Sequence, residues 1–235
     1  EGVTTVVGSA TVTLAAPFRF AFVVNENHVV VLADTGSGWV PLLRRRVNGL
    51  VDLRDPATLG RYTYGYGARA GGGAVTISAA QAGYFGQAGV RDPHVVTYAD
   101  GTPYIRDGKV YLTLTQAGLA FFEAAHWGVF TLDLADPTRL EQVAALFFER
   151  DGVVLGDHAG HLVLQDNGEF VVAMSGWGNF SFQGVDVHYA TTRENLLSGV
   201  HVVPTRPLSL PTDVSSWDPA LHRIDGRWHV AFTES

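Results

Sequence analysis

An internal repeat constrains the fold of this 235-residue chain more than any other feature of its sequence. Residues 106–115, 165–174 and 224–233 each place a turn glycine ahead of an alternating strand pattern. The three turn glycines are spaced 60 and 58 residues apart. A repeat of this length is typical of four-stranded β-propeller blades with long loops. The sequence therefore predicts an all-β protein of the β-propeller class.

Most of the remaining chain consists of short apolar runs that end in glycine, proline or aspartate. Runs of this kind predict strands, most clearly at residues 11–14 and 28–32. Residues 20–24, followed by a three-residue turn and the run at 28–32, predict a hairpin of the first blade. Only residues 136–145 and 192–197 have a helical pattern, and both segments are short.

Counting blades predicts a ring that residues 1–235 do not complete. At a period near 60 residues the chain holds about three to four blades, whereas a closed ring of such blades needs about four or five. We therefore expect a single propeller domain that further sequence or a second chain completes on its C-terminal side. The alternative is that strands at residues 3–7 and 11–14 close the ring.

Composition excludes several classes of protein and partner. The chain is 46% hydrophobic and only 17% charged, which excludes a disordered chain and a coiled coil. It has no cysteine, which excludes disulfides and thiolate metal sites. A net charge of −7 argues against a nucleic acid partner. No run approaches the roughly 20 apolar residues of a membrane span, so no membrane partner is expected either.

One aspartate precedes each repeated hairpin, namely Asp92, Asp157 and Asp218. Their spacings of 65 and 61 residues follow the repeat. The first strands of propeller blades line the central axis, so three carboxylates are expected to face one cavity. Carboxylates that lie close together separate in pKa and can act as acid and base on a glycosidic bond. The alternative for each aspartate is a structural role in a turn.

Several segments resemble the five-bladed propeller glycoside hydrolases, meaning families 43, 32 and 68 and relatives that act on arabinans and fructans. Arg-Asp-Pro-His-Val at residues 91–95, with the hairpin sequence at 107–112, resembles their Arg-Asp-Pro blade. Trp-Asp-Pro-Ala-Leu at 217–221 is similar to their Trp-x-Pro blade opening, and residues 187–196 resemble an outer strand and its turn. The resemblance covers roughly residues 91–235.

The resemblance implies a secreted or extracytoplasmic glycosidase that degrades polysaccharides and cleaves a furanoside such as arabinan or fructan. Asp92 would be either the base or the aspartate that tunes the acid, and Asp157 would be the second carboxylate. Asp218 is a third candidate. Glu234, which aligns with Gln116 in the repeat, is a candidate acid if its strand end reaches the funnel. No clear acid-glutamate motif is present, so we expect the usual proton donor of the family to be missing or to lie in further sequence.

Arginine, histidine and tryptophan residues near the same blade starts are candidate substrate-binding groups. Trp127 and Trp177 lie beside glycines and could stack on a sugar ring or pack between blades. No cofactor is expected, although the histidines could hold a metal, and a structural ion such as calcium is an alternative. The binding candidates are Arg91, His94, His158, Trp127, Trp177 and Trp217, and the metal candidates are His94, His158 and His161.

A propeller that binds carbohydrate or a protein partner without catalysis is the second hypothesis. The two hypotheses differ in whether a proton-donating glutamate faces Asp92 across the funnel.

Overall fold

The computed structural model describes residues 3–63, 65–67, 71, 74–83, 89–117, 125–179 and 184–235. Within these ranges the protein is all-β, with one short helix, α1 (Pro56–Leu59), and one 3-10 turn at Trp177–Asn179. The strands are β1 (Arg19–Asn25), β2 (His28–Asp34), β3 (Val40–Arg46), β4 (Val90–Val95), β5 (Thr97–Tyr98), β6 (Ile105–Arg106), β7 (Lys109–Gln116), β8 (His126–Asp133), β9 (Leu140–Arg150), β10 (Val153–Leu155), β11 (His158–Leu164), β12 (Phe170–Ser175), β13 (Val187–Thr192), β14 (Gly199–Pro204), β15 (Arg206–Pro207), β16 (Ser216–Ile224) and β17 (Arg227–Glu234).

These strands form four sheets, and none of the sheets closes on itself in the described part of the chain. The first sheet has the order β1-β2-β3. The second runs β10-β9-β8-β7-β4, with β14 added parallel to β9 and β6 paired with β7. The third runs β15-β13-β12-β11-β5, and the fourth is the hairpin β16-β17. The all-β prediction is confirmed.

The hairpins of the repeat are confirmed as well. Asp107-Gly108 joins β6 to β7 and Asp225-Gly226 joins β16 to β17, while Gly168 lies in the turn between β11 and β12. Both aspartates and all three glycines have positive φ, between 49° and 79°. An Asp-Gly pair suits such turns because both residues tolerate this conformation and its twist matches that of the strands. The hairpin at residues 20–32 is also present, as β1 and β2.

The two helix predictions are wrong. Residues 140–145 begin β9, which pairs with β8 on one side and β14 on the other. Its Ala and Leu residues favour a helix in isolation, but pairing along both edges overrides that preference. Thr192 ends β13, and the residues after it form a turn in which Asn195 Oδ1 accepts a hydrogen bond from Leu197 N at 3.2 Å.

Residues 3–7 and 11–14 form no strand, and all of these residues except Leu14 are exposed. The strand prediction at 11–14 is therefore wrong. The alternative in which these segments close a ring loses its support.

The main core lies between the second and third sheets. Trp127 and Phe148 from the second sheet pack in one cluster with Leu162 and Met174 from the third, and none of the four is exposed. A smaller cluster packs the third sheet against Leu221 of β16. Strand β11 therefore lies between β4 and β16, and the beginnings of these three strands come together.

The first sheet is joined to the others through its hairpin turn and the segment after β3. The Glu26 side chain accepts a hydrogen bond from Gly156 N at 2.6 Å. The Arg54 carbonyl accepts one from Val154 N at 2.9 Å. Both contacts reach the chain segment that leads into β11.

Candidate functional site

Strands β4, β11 and β16 share one backbone irregularity close to their first residues. Each has a β-bulge, and within it one residue has a positive φ: Asp92 (52°), Ala159 (52°) and Asp218 (51°). Asp92 and Asp218 are therefore structurally equivalent, and Ala159 is the third member of the set. Asp157 lies two residues before that position.

A repeated hydrogen bond ties each later bulge to the preceding sheet. Ala159 N of β11 donates to Thr115 Oγ1 at 3.2 Å, and Asp218 N of β16 donates to Ser175 Oγ at 2.8 Å. Thr115 and Ser175 occupy the same place in their strands, opposite the residue just before the bulge. The Ser175 hydroxyl also donates to the Ala159 carbonyl at 2.8 Å. The third sheet is thus hydrogen-bonded to the second in the same way as the fourth sheet is to the third.

The carboxyl groups of Asp92 and Asp218 influence each other. Burial and, second, the negative charge of Asp92 raise the pKa of Asp218, while the hydrogen bond with Ser175 opposes the shift. The Asp92 side chain is 40% exposed, and Arg91 Nε lies 3.4 Å from its Oδ2. The raised pKa lets Asp218 keep its proton to a higher pH than an ordinary aspartate does.

Asp157 is held inside the protein. Its side chain has no exposed surface and forms a two-pronged ion pair with the Arg150 guanidinium, in which Nη2 donates to Oδ1 at 3.0 Å and Nη1 donates to Oδ2. Oδ1 also accepts a hydrogen bond from Gly178 N at 2.9 Å. The structure therefore pairs this predicted site carboxylate with a buried arginine.

Three aromatic rings border the bulges. Trp177 lies nearly parallel to His158, with 6.2 Å between ring centroids and 11° between planes. Its centroid lies 6.0 Å from that of Trp217, at 53°. His158 and Trp217 directly precede Ala159 and Asp218, so this aromatic platform (His158, Trp177 and Trp217) adjoins the carboxylates. Both tryptophans keep part of their surface exposed.

The structure does not bring Trp127 to this site. Its indole lies in β8, has no exposed surface and packs in the main core 6.0 Å from the Phe148 ring. Its sequence context allowed two roles, stacking on a sugar ring or packing, and Trp127 has the packing role.

His94 and His161 form a stacked pair, with ring centroids 3.9 Å apart and planes at 10°. His161 Nδ1 accepts a hydrogen bond from Leu221 N at 3.0 Å, and its Nε2 lies 3.0 Å from Thr97 Oγ1. His94 Nδ1 lies 3.1 Å from the Gly160 carbonyl, to which it can only donate. Burial lowers the pKa of both, that of His161 to about 3, so the pair is neutral and links β4, β11 and β16.

These contacts bear on the predicted metal ligands. Both ring nitrogens of His161 are already engaged by Thr97 and Leu221. Among the described residues, no three His, Asp or Glu side chains are grouped so that they could hold a metal ion.

Glu234 is an exposed residue at the end of β17. It pairs with Ser216 just as Gln116 pairs with Val90, which confirms the repeat alignment of Glu234 with Gln116. Of the candidate proton donors, Asp218 has the position equivalent to Asp92 and a raised pKa.

Sequence reasoning missed Ser175 and Arg150. Ser175 had a signal, because it follows Gly168 by seven residues, as Thr115 follows its own turn glycine and Thr233 follows the last one. A hydroxyl at one fixed place in each repeat could have revealed it. Arg150 had no such signal, because the repeat contains no equivalent arginine.

No family model, curated protein or solved structure compared with this chain matches it. No helix in the described ranges is long and apolar enough to cross a membrane.

Proposed function

We propose that this chain is a glycoside hydrolase of propeller architecture, with Asp92 and Asp218 as its catalytic carboxylates. Strands β4, β11 and β16 would be the inner strands of successive blades of a five-bladed type of ring. The hydrogen bonds from Ala159 to Thr115 and from Asp218 to Ser175 support this architecture, because they relate successive sheets in the same way. Such a relation is expected of blades around an axis.

The paired carboxyl groups carry the functional proposal. Because the pKa of Asp218 is raised, Asp218 would donate its proton to the glycosidic oxygen as the bond from that oxygen to the sugar breaks. The Asp92 carboxylate would either take a proton from a water that attacks the anomeric carbon or attack that carbon itself. In the second case it forms a glycosyl ester, which water then hydrolyses as Asp218 takes the proton of that water. Arg91, with Nε 3.4 Å from Asp92, would orient that carboxylate.

The aromatic platform would bind the sugar. Apolar faces of sugar rings pack on exposed aromatic rings, and Trp177 and Trp217 present two such rings beside the carboxylates. The resemblance of the segments at 91–95 and 217–221 to propeller hydrolases suggests a furanoside, such as arabinan or fructan. A secreted or extracytoplasmic location would suit such a substrate.

Conservative substitutions at the two aspartates test the proposal. Asp92→Asn and Asp218→Asn keep the backbone, because asparagine tolerates positive φ. Asp225→Asn is the matched control, since Asp225 has the same backbone conformation (φ 49°) at the far end of β16. Release of reducing sugar from arabinan and fructan, and of nitrophenol from nitrophenyl furanosides, is expected to fall by about 100-fold or more in both site variants. The control should retain wild-type rates, and site variants that do the same would remove these carboxylates from the mechanism.

The pH profile tests the role of Asp218. Activity should fall at high pH, as Asp218 loses its proton. Because the pKa of Asp218 is raised, the high-pH limb should lie above the ordinary range of an aspartate. If activity does not decrease with rising pH anywhere in the acidic range, another group donates the proton.

A carbohydrate-binding role without catalysis is the second candidate, and the partly exposed Trp177 and Trp217 favour it. It predicts that the wild-type protein is retained on immobilised arabinan or fructan but releases no sugar. Retention should then be lost in Trp177→Ala and Trp217→Ala, whereas Trp228→Ala, a change in β17, should bind normally.

A further inference from the structure

We infer that Asp157 and Arg150 position the aromatic platform, and that Asp157 does not take part in the chemistry. What the platform binds rests on the proposed function. That Asp157 holds the platform in place rests on contacts within the protein and can be tested separately.

The carboxyl group of Asp157 connects the two stacked rings of the platform. His158 is its neighbour in the chain, and Gly178, whose N–H donates to Oδ1 at 2.9 Å, is the neighbour of Trp177. One buried carboxylate therefore fixes the backbone beside each ring. The near-parallel stack of His158 and Trp177 follows from holding both backbones at once.

Arg150 anchors this carboxylate to the second sheet. It is the last residue of β9, a strand that pairs with neighbours on both sides, and its side chain is only 8% exposed. Two parallel N–H donors hold a carboxylate in one orientation, which a single hydrogen bond does not. Asp157 therefore cannot turn toward the surface without leaving a buried guanidinium unpaired.

The turn that carries Trp177 has no free space on this side. A Cβ at Gly178 would lie 2.9 Å from Leu155 Cβ and 3.0 Å from Gly156 N. It would also lie 3.1 Å from Asp157 Oδ1. Only glycine lets this turn approach the segment before β11 so closely, so the contact sets where the Trp177 indole lies.

These contacts assign the platform to substrate binding and Asp157 to its support. With both oxygens hydrogen-bonded and no exposed surface, Asp157 has no atom that a substrate could reach. Its loss should displace Trp177 relative to Trp217 and weaken sugar binding. The reacting carboxylates, Asp92 and Asp218, would keep their places.

The test measures the Trp177 geometry and the kinetics separately. Two neighbouring indoles give an exciton couplet in the circular dichroism spectrum, and its loss in Trp177→Phe and Trp217→Phe assigns it to this pair. Asp157→Asn should reduce the couplet and raise KM for a nitrophenyl furanoside about tenfold, with a change in kcat of less than about threefold. Asp166→Asn, in the exposed β11–β12 turn, is the control and should change neither quantity.

Gly178→Ala is a second variant that leaves the ion pair intact. It should reduce the couplet and raise KM in the same way, because the new methyl group pushes the turn outward. This variant decides the question if Asp157→Asn does not fold, which its thermal unfolding profile would show.

Two results would overturn the inference. One is a wild-type couplet in the folded variants. The other is a loss of kcat in Asp157→Asn as large as that in Asp92→Asn with the couplet unchanged, which would make Asp157 a chemical group. If the wild-type protein hydrolyses none of the sugars, the proposed function fails, yet the couplet still shows whether Asp157 positions Trp177.

Discussion

The two middle sheets (the second and third) and the two end sheets (the first and fourth) differ in how far their apolar strands are buried. All six residues of β12 in the third sheet are buried. Strand β1 of the first sheet is also largely apolar, yet Phe20 and Phe22 are 59% and 61% exposed. The third sheet packs against the second on one side and β16 on the other, whereas β1 is an edge strand with one apolar face uncovered in the described structure. An apolar alternating pattern is enough for a strand, but burial needs a neighbour on each face.

Ion pairs show the same difference. Arg150 and Asp157, at the middle sheets, are 8% and 0% exposed, so both partners of this ion pair are buried. In the first sheet Asp34 is 2% exposed, but its partner Arg19 is 69% exposed. Water is thus excluded from both partners only at the middle sheets. Electrostatic interactions there are stronger, and breaking them costs more.

The largest expected difference is between two tryptophans. Trp127→Ala, in the main core, should lower the free energy of unfolding by about 4 kcal/mol, because it empties a large buried volume. Trp228→Ala, at a 38% exposed position of β17, should cost about 1 kcal/mol. Urea denaturation of the two variants measures both values. Equal losses would mean that the fourth sheet is packed as tightly as the middle sheets.

A smaller difference is expected between the two ion pairs. Asp157→Ala should cost about 3 kcal/mol of unfolding free energy, because it leaves the Arg150 charge buried without its partner. Arg19→Ala should cost much less, because the Arg19 guanidinium is exposed to solvent and the N–H groups of Gly36 and Gly38 still donate to Asp34. A double variant, Arg150→Met with Asp157→Leu, should recover part of the loss, as measured by the same denaturation. No recovery would show that the charge of Arg150 is not the cause.

The last comparison concerns pH, whose effect per histidine and pH unit is smaller than the loss expected for Trp127→Ala or Asp157→Ala. Burial lowers the pKa of His161 to about 3 and that of His126 to about 4, and also lowers that of His94. Each pKa in the folded state lies below the unfolded value near 6.5, so below pH 6.5 the unfolded chain binds more protons. Stability should therefore be unaffected by these groups above pH 6.5. It should fall toward pH 4 by up to about 1.4 kcal/mol per pH unit for each of His161 and His126, and His94 should act in the same direction.

Variants at two histidines check this expectation. His161→Gln should lower stability at pH 7, because it disturbs the hydrogen bonds to Leu221 and Thr97, but should make the slope below pH 6.5 shallower. His229→Gln, at an exposed position of β17, should leave the slope unchanged. An unchanged slope in the His161 variant would show that this residue is not kept neutral by the fold.

Much of the local structure could be predicted from the sequence. The repeated hairpins were predictable because Asp-Gly turns and alternating strands depend on neighbouring residues alone. The segment at 136–145 was not, because its helix-forming residues become a strand only through pairing with β8 and β14, which come from elsewhere in the chain. The position equivalent to Asp92 in the β11 repeat was not predictable for the same reason. Choosing aspartates by residue type selected Asp157, whereas the bulge that equates Ala159 with Asp92 depends on cross-strand register.

The sequence by itself determined that the chain forms β-hairpins at regular intervals, with aspartates near the strands that begin each repeat. Only the tertiary structure decided what each aspartate does. Asp157 is buried and forms an ion pair with Arg150. Asp92 and Asp218 occupy equivalent bulges, and the charge of Asp92 helps to raise the pKa of Asp218. The reason is physical: burial and Coulomb interactions depend on which groups are close in space, and these groups come from different sheets.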